Sequence, residues 1–111
     1  MAKSGHPTFG QIIADARRRA GLNQREAAKL IKKKDGESIS VQYLSEIEND
    51  HRNIPSNHIL DEIARAYNIS RYYLYSQAER IPSDFPKANK EQLADEIYLD
   101  MRRKLEQSAA A

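Results

Sequence analysis

Five polar residues, each followed by apolar residues at helical spacing, limit what this chain can fold into. A short polar side chain at a helix start accepts a backbone N–H, and a Glu or Gln three residues later can return the bond. Because five such starts fall between residues 8 and 80, the sequence predicts five short helices and no strand of useful length. The predicted caps are Thr8 with Gln11, Asn23 with Glu26, Ser40, Ser56 and Ser70.

The apolar positions that follow these caps predict a single helical core. Gly21 and Asn68 are expected to end the first and fourth helices, since both residue types adopt the left-handed conformation readily. The side chains expected to face inward are Phe9, Ile12, Ile13, Ala16 and Ala20 in the first helix, Ala27, Ala28, Leu30 and Ile31 in the second, Tyr43, Leu44 and Ile47 in the third, Ile59, Leu60, Ile63, Ala64 and Tyr67 in the fourth, and Tyr73 and Leu74 in the fifth.

A proline-containing segment separates this domain from a sixth helix. Pro82 and Pro86 forbid a continuous helix through residues 81–88. We expect a flexible N-terminus at 1–7, a helical domain at 8–80, a linker at 81–88 and an amphipathic helix at 89–111 that Asn89 and Gln92 cap. Its stripe either packs on the fifth helix of its own chain or pairs with its twin in a dimer. The stripe residues are Leu93, Ile97, Met101 and Leu105.

Composition argues against several classes of function. The chain has no Cys, and its three histidines lack metal-ligand spacing, so we expect no metal and no cofactor. There is no apolar run of about 18 residues, so no membrane span is expected. No glycine-flanked nucleophile or phosphate-binding glycine loop is present, and we therefore expect no catalytic residues and no enzyme. The absence of Cys fits a cytoplasmic protein.

The stretch from Asn23 to Asn49 carries the strongest functional pattern. Two short amphipathic segments flank a hydrophilic break, and the second has short polar side chains on one face and apolar ones on the other. That pattern is typical of a helix that packs on a domain and enters a DNA groove. The basic clusters Arg17–Arg19 and Lys32–Lys34 suit phosphate contact, although each could equally be a solvated helix face at a net charge of only +2.

Residues Gly10 to Leu74 resemble the phage-repressor-like (XRE) helix-turn-helix family. The resemblance implies an all-α, lambda-repressor-like DNA-binding domain of five helices, which here precedes an additional C-terminal helix. The matching residues are Arg17, Gly21-Leu22, Asn23-Gln24, Ala28, Ile39-Ser40, Tyr43-Leu44-Ser45, Ile47-Glu48, Pro55 and the stretch from Ile63-Ala64 to Leu74.

The resemblance also implies roles for individual residues. Arg17 and Glu48 are expected to form a structural ion pair between the first and third helices. By its own chemistry Gln42 can pair with adenine, whereas Glu46 either accepts from the cytosine amino group or is only a solvated charge. The resemblance implies base contacts for Val41, Gln42, Ser45 and Glu46, and phosphate contacts for Gln24, Tyr43, Arg52 and Asn53.

The chain departs from the family pattern between the second and third helices. Lys32 to Ser38 fills a span where the family usually has a very short turn around a glycine. Asp35-Gly36 is its turn signal. The insertion either shifts the third helix or extends the second by a turn, and it could place Lys32, Lys33 and Lys34 on the DNA backbone.

Taken together, these patterns predict a sequence-specific regulator of transcription that binds double-stranded DNA. We expect a repressor that binds an inverted repeat as a homodimer through the third helix. The alternative is an antitoxin-type autoregulator whose C-terminal segment binds a toxin or another protein partner.

Overall fold

The computed structural model describes residues 6–85 and 90–110, and over these ranges the chain is built from helices. They are α1 (Phe9–Arg19), α2 (Gln24–Leu30), α3 (Val41–Glu48), α4 (Asn57–Tyr67), α5 (Arg71–Gln77) and α6 (Lys90–Ala110). An isolated bridge between Lys32 and Ser38 is the only extended pairing in the described ranges. The expected all-α fold with an extra C-terminal helix is confirmed. Most of the expected flexible N-terminus, the end of the linker and the cap residue Asn89 lie outside the described residues.

Local capping sets the helix starts as the sequence predicts. Thr8 Oγ1 accepts from the Gln11 N–H (3.1 Å), and Gln11 Oε1 accepts from the Thr8 N–H (2.9 Å). Asn23 and Glu26 exchange the same pair of bonds at 2.8 and 2.9 Å. The side chains of the remaining predicted caps, Ser40, Ser56 and Ser70, each accept the backbone N–H three residues on. An N-cap of this kind stabilises a helix by about 1 kcal/mol.

The core lies where α3 packs on α1 and α2, and where α4 packs on α2 and α5. Leu44 on α3 and Ile63 on α4 are fully buried at its centre. This arrangement presents the opposite face of α3 to solvent, which positions the site described below. The largest fully buried side chains are Tyr75, Ile13, Ile31, Leu44, Leu60, Ile63 and Leu74.

Three side chains predicted to face inward are exposed, and those predictions were wrong. Ala20 follows the last residue of α1, so the stripe of that helix no longer applies to it. Leu30 ends α2 and points outward, because the chain turns extended at Ile31 and buries that side chain instead. On α5 the fully buried Leu74 and Tyr75 occupy the core positions, which leaves Tyr73 outside.

The insertion between α2 and α3 forms a tight hairpin. The Lys33 N–H donates to the Glu37 carbonyl (2.7 Å), and the Gly36 N–H donates to the Lys33 carbonyl (2.9 Å). Gly36 has φ +90°, a conformation that glycine adopts without steric cost. The expectation that the insertion extends α2 by a turn was wrong, because α2 ends at Leu30 and the chain reverses instead.

The hairpin is held against α4 by two polar contacts. Glu62 Oε1 accepts from the Lys32 N–H (2.9 Å), and the His58 Nε2–H donates to the Lys32 carbonyl (2.9 Å). Burial alone would raise the pKa of Glu62, but hydrogen bonds from Lys32 and Arg65 outweigh it and lower the pKa overall. The ionised carboxylate therefore ties the base of the hairpin to the domain.

Gly10 permits the close approach of α1 to the end of α3. A Cβ at this position would lie 2.5 Å from the carbonyl oxygens of both Ile47 and Glu48, and 2.8 Å from Asp50 Oδ1. That same Asp50 oxygen accepts the Gly10 N–H at 2.8 Å. Any side chain at residue 10 must therefore push the two helices apart.

We expect Gly10→Ala to lower the free energy of unfolding by about 1–3 kcal/mol, the usual cost of overpacking. Alanine gains up to about 1 kcal/mol of helix propensity over glycine, which the clash with fixed backbone oxygens outweighs. Urea unfolding of the full chain measures the change, and Arg18→Ala at an exposed position of α1 is the control. An unfolding midpoint at or above that of the wild type would show that α1 and α3 can separate without cost.

Candidate nucleic-acid interface

The outward face of α3 brings together the residues predicted to contact bases. Leu44, Ile47 and Glu48 are buried and Tyr43 packs partly against the core, which leaves the other positions of this two-turn helix toward solvent. Ser45 is half-buried, and it accepts hydrogen bonds from Asn49 Nδ2 at its carbonyl oxygen (2.8 Å) and at Oγ (3.3 Å). The outward face comprises Val41, Gln42, Ser45 and Glu46.

Glu46 is the centre of a polar cluster on this face. Arg52 Nε donates to Glu46 Oε1 at 2.7 Å, and Gln42 Nε2 donates to Glu46 Oε2 at 3.3 Å. The guanidinium carbon of Arg52 lies 5.1 Å from the centre of the Tyr43 ring, within cation–π distance. The bond from Arg52, and then the bond from Gln42, lowers the pKa of Glu46. The carboxylate is therefore ionised at neutral pH and its charge is balanced by Arg52.

A buried ion pair fixes α1 to the C-terminal end of α3. Arg17 Nε and Nη2 donate to the two oxygens of Glu48 at 2.7 and 3.0 Å, in the forked geometry that suits a carboxylate. Arg17 Nη1 donates to the Leu22 carbonyl at 2.9 Å. The hydrogen bond to Glu48 is the main cause of the raised pKa of Arg17. Gln24, at the start of α2, donates to the same carboxylate at 2.8 Å.

The predicted phosphate contacts fall into separate groups. Lys33 and Lys34 line an open cleft of about 540 Å³ between the hairpin and the first residues of α3 and α4, and Ser40 and Ser56 also border it. Lys32 instead points its Nζ to Ser38 Oγ (3.0 Å). The loop residue Asn53 is exposed, whereas Arg52 lies against Glu46 and Tyr43.

Arg80 is a supporting residue that the sequence patterns do not reveal. Its Nη2 donates to the Ile54 carbonyl (3.0 Å), and its Nη1 donates to Asn57 Oδ1 (3.2 Å) and to the Pro55 carbonyl. The side chain thereby holds the loop that carries Asn53 against the end of α5. No local pattern signals this interaction, because its partners are 23 to 26 residues away.

The described residues show neither a metal cluster nor a membrane helix. Over 6–85 and 90–110, no group of three or more His, Cys, Asp or Glu side chains is placed to hold a metal ion. Within the same ranges, no helix combines the length and apolar character needed to cross a bilayer.

A helix pair whose second helix packs one face in the core and presents a polar face to solvent is the arrangement of a helix-turn-helix domain. A family model described as Helix-turn-helix matches residues 13–74, which is more than half of the chain. The protein therefore belongs to the XRE-type helix-turn-helix family of DNA-binding transcriptional regulators. The chain matches no curated protein sequence.

Proposed function

We propose that the protein is a sequence-specific repressor that binds an inverted-repeat operator as a homodimer, with α3 of each subunit in the major groove. The observation that carries this proposal is the polar outward face of α3, held in place by buried contacts on its other side. A rigid support matters because base recognition requires side chains placed to within hydrogen-bond tolerance.

Each proposed base contact follows from the chemistry of its side chain. Gln42 offers an amide that can donate to N7 and accept from the N6 amino group of adenine. Val41, which is exposed at the first position of α3, suits the methyl group of thymine. Ser45 and Glu46 complete the base-facing surface. They add a hydroxyl and a carboxylate to the side of α3 that would face the base edges.

The selection of bound sequences from random duplexes tests the assignment of α3. We expect Gln42→Ala to weaken binding to the selected site by about 1–3 kcal/mol and to relax preference at one base pair. Gln77→Ala, which removes the same side chain from the end of α5, should change neither quantity. An unaltered preference in the Gln42 variant would exclude this residue as a base reader.

Sequence-independent contacts would come from the hairpin, the start of α2 and the loop after α3. The cleft beside the first residues of α3 and α4 supports this, because helix N-termini attract phosphate and Lys33 and Lys34 add two positive charges. Such contacts set the register of the protein on the duplex without reading its sequence. The proposed contacts are Gln24, Lys32, Lys33, Lys34, Tyr43 and Asn53.

Removing two lysines tests the role of the hairpin. We expect Lys33→Ala with Lys34→Ala to weaken binding to all duplexes alike and to reduce the log–log salt slope by about 0.9 for each phosphate that is no longer neutralised. Lys32 is left in place because its side chain bonds to Ser38 within the hairpin. Arg102→Ala with Lys104→Ala removes two charges from α6 and serves as the control. A salt slope equal to that of the control would mean that the hairpin lysines point into solvent.

The stripe on α6 supports the dimer. Leu93, Ile97, Met101 and Leu105 are between 37% and 64% exposed, so the single chain does not bury them. The alternative in which the stripe packs on α5 is therefore without support. Because these side chains are only about half exposed before association, the four from each of the two chains could together contribute roughly 6–12 kcal/mol before ordering costs. A symmetric operator requires a second copy of the chain, and we propose that the second copy of α6 covers this stripe.

A further inference from the structure

We propose that Arg52 reads a guanine in the major groove and that Glu46 is the positioning residue that aims it. The proposal rests on the proposed function, since it concerns the same face of α3. It differs from what the family resemblance implies, namely that Arg52 contacts a backbone phosphate. It also assigns Glu46 a role other than accepting a hydrogen bond from cytosine.

The bonds around Glu46 favour positioning over direct reading. Both carboxylate oxygens are engaged, Oε1 by Arg52 and Oε2 by Gln42. An unpaired carboxylate on a DNA-facing surface would be repelled by the phosphates. Pairing with Arg52 removes that repulsion and fixes the guanidinium directly beside the base-facing positions. The role of Glu46 in the interface is therefore to position the side chains of Arg52 and Gln42.

The remaining donors of Arg52 suit guanine. Its Nε is committed to Glu46, and its terminal nitrogens make no hydrogen bond to any residue in the described ranges. Terminal guanidinium nitrogens pair in a fork with the O6 and N7 atoms of guanine, which is the commonest specific contact in the major groove. The Tyr43 ring supports the guanidinium from below at 5.1 Å, so the side chain gives up less freedom on binding.

Glu46 orients a second reader in the same way. Gln42 uses one N–H of its amide on Glu46, which leaves one N–H donor and the Oε1 acceptor for an adenine. A single carboxylate therefore positions a guanine-reading and an adenine-reading side chain. The operator half-site should accordingly contain a guanine that Arg52 contacts and an adenine that Gln42 contacts.

A chemical probe separates base reading from phosphate contact. In the selected site, each guanine is replaced in turn by 7-deazaguanine, which lacks the N7 acceptor. We expect one replacement to weaken binding of the wild-type chain about tenfold or more, and to leave Arg52→Ala almost unaffected, because alanine has no donor for the N7 atom. Lysine would not serve here, since its ammonium group can also donate to guanine. Arg102→Ala, on α6, is the matched control and should respond like the wild type.

Glu46→Gln tests the positioning role, because glutamine keeps the size of the side chain but not its charge. We expect it to lower the preference for the same guanine about tenfold, with a smaller loss at the base pair assigned to Gln42. The side chains of Glu46 and Arg52 lie on the outer surface of the domain, so we expect each variant to fold. Thermal unfolding checks this. A Glu46 variant with wild-type preferences would overturn the positioning role.

The outcomes also distinguish this inference from the function on which it rests. If Arg52→Ala weakens every duplex equally and responds to each 7-deazaguanine as the wild type does, Arg52 is a backbone contact and the inference fails. The proposed function would survive that result, provided that Gln42→Ala still relaxes one base pair. If the wild-type chain selects no sequence at all, both the proposed function and the inference fail.

Discussion

Replacement of Glu48 by alanine is expected to lower the free energy of unfolding by about 3–5 kcal/mol. Arg17 and Glu48 are each only 8% exposed, so the substitution leaves a buried guanidinium without its counter-ion. Arg17 would keep one bond to the Leu22 carbonyl, which cannot balance a full charge. Gln24 would lose its acceptor as well. A loss of this size is a large part of the stability of a small domain.

An exposed ion pair on the same helix provides the control. Arg19 and Asp15 on α1 lie 3.1 Å apart, but both side chains are well exposed. Asp15→Ala should therefore cost no more than about 0.5 kcal/mol. Urea unfolding measures both variants, and an unchanged slope with denaturant would show that only stability has changed. If Glu48→Ala were as mild as Asp15→Ala, the buried pair would not be what locks α1 to α3.

Local signals account for how well the sequence predicts the helix boundaries. A cap such as Thr8 or Asn23 acts through bonds to residues three positions away, so its effect is visible in a short window of sequence. The inward faces of α1 and α4, which have 11 residues each, were also predicted well apart from Ala20 beyond the end of α1. Two-turn helices give weaker periodicity, and the errors at Leu30 and Tyr73 fall on α2 and α5.

Long-range contacts account for what the sequence could not predict. Gly10 matters only because the ends of α1 and α3 meet, and the hairpin is held by Glu62 across 30 residues. Neither partner carries a local pattern that points to the other. The sequence could show that Lys32 to Ser38 was an insertion, but its anchoring depends on where α4 lies.

In the candidate site, too, the sequence predicts which side of the helix a residue lies on but not which residues pair. The family resemblance and helical spacing together placed Gln42 and Glu46 on one side of α3. The pairing of Glu46 with Arg52 depends on how α3 ends. Asp50 adopts φ 60°, and the following N–H of His51 donates to the Glu46 carbonyl at 2.8 Å, a left-handed helix end that turns the chain back. The residue type is only a partial signal of this turn, because glycine usually fills that position and aspartate does so less often.

Lysine substitutions in the α6 stripe are expected to convert a dimer into a monomer. One recognition helix covers only a few base pairs, so a specific operator usually needs two copies at a fixed spacing. Ile97→Lys or Met101→Lys would place a charge in the proposed seam, which is the dimer interface formed by the stripes of two α6 helices. Burial of a charge there without a partner is costly. Leu99→Lys makes the same chemical change on the other side of the helix, where the leucine is already well exposed, and is the control.

Sedimentation and DNA binding should change together in these variants. We expect the wild-type chain and Leu99→Lys to sediment as dimers at micromolar concentration, and the two seam variants to sediment as monomers. The seam variants should bind a single half-site as the wild type does, but should lack the gain in affinity that the wild type shows on the full inverted repeat, because only a dimer engages both half-sites at once. A seam variant that remains dimeric would place the interface elsewhere. A monomeric wild-type chain would leave the stripe for a different protein partner and would remove the homodimer from the proposed function.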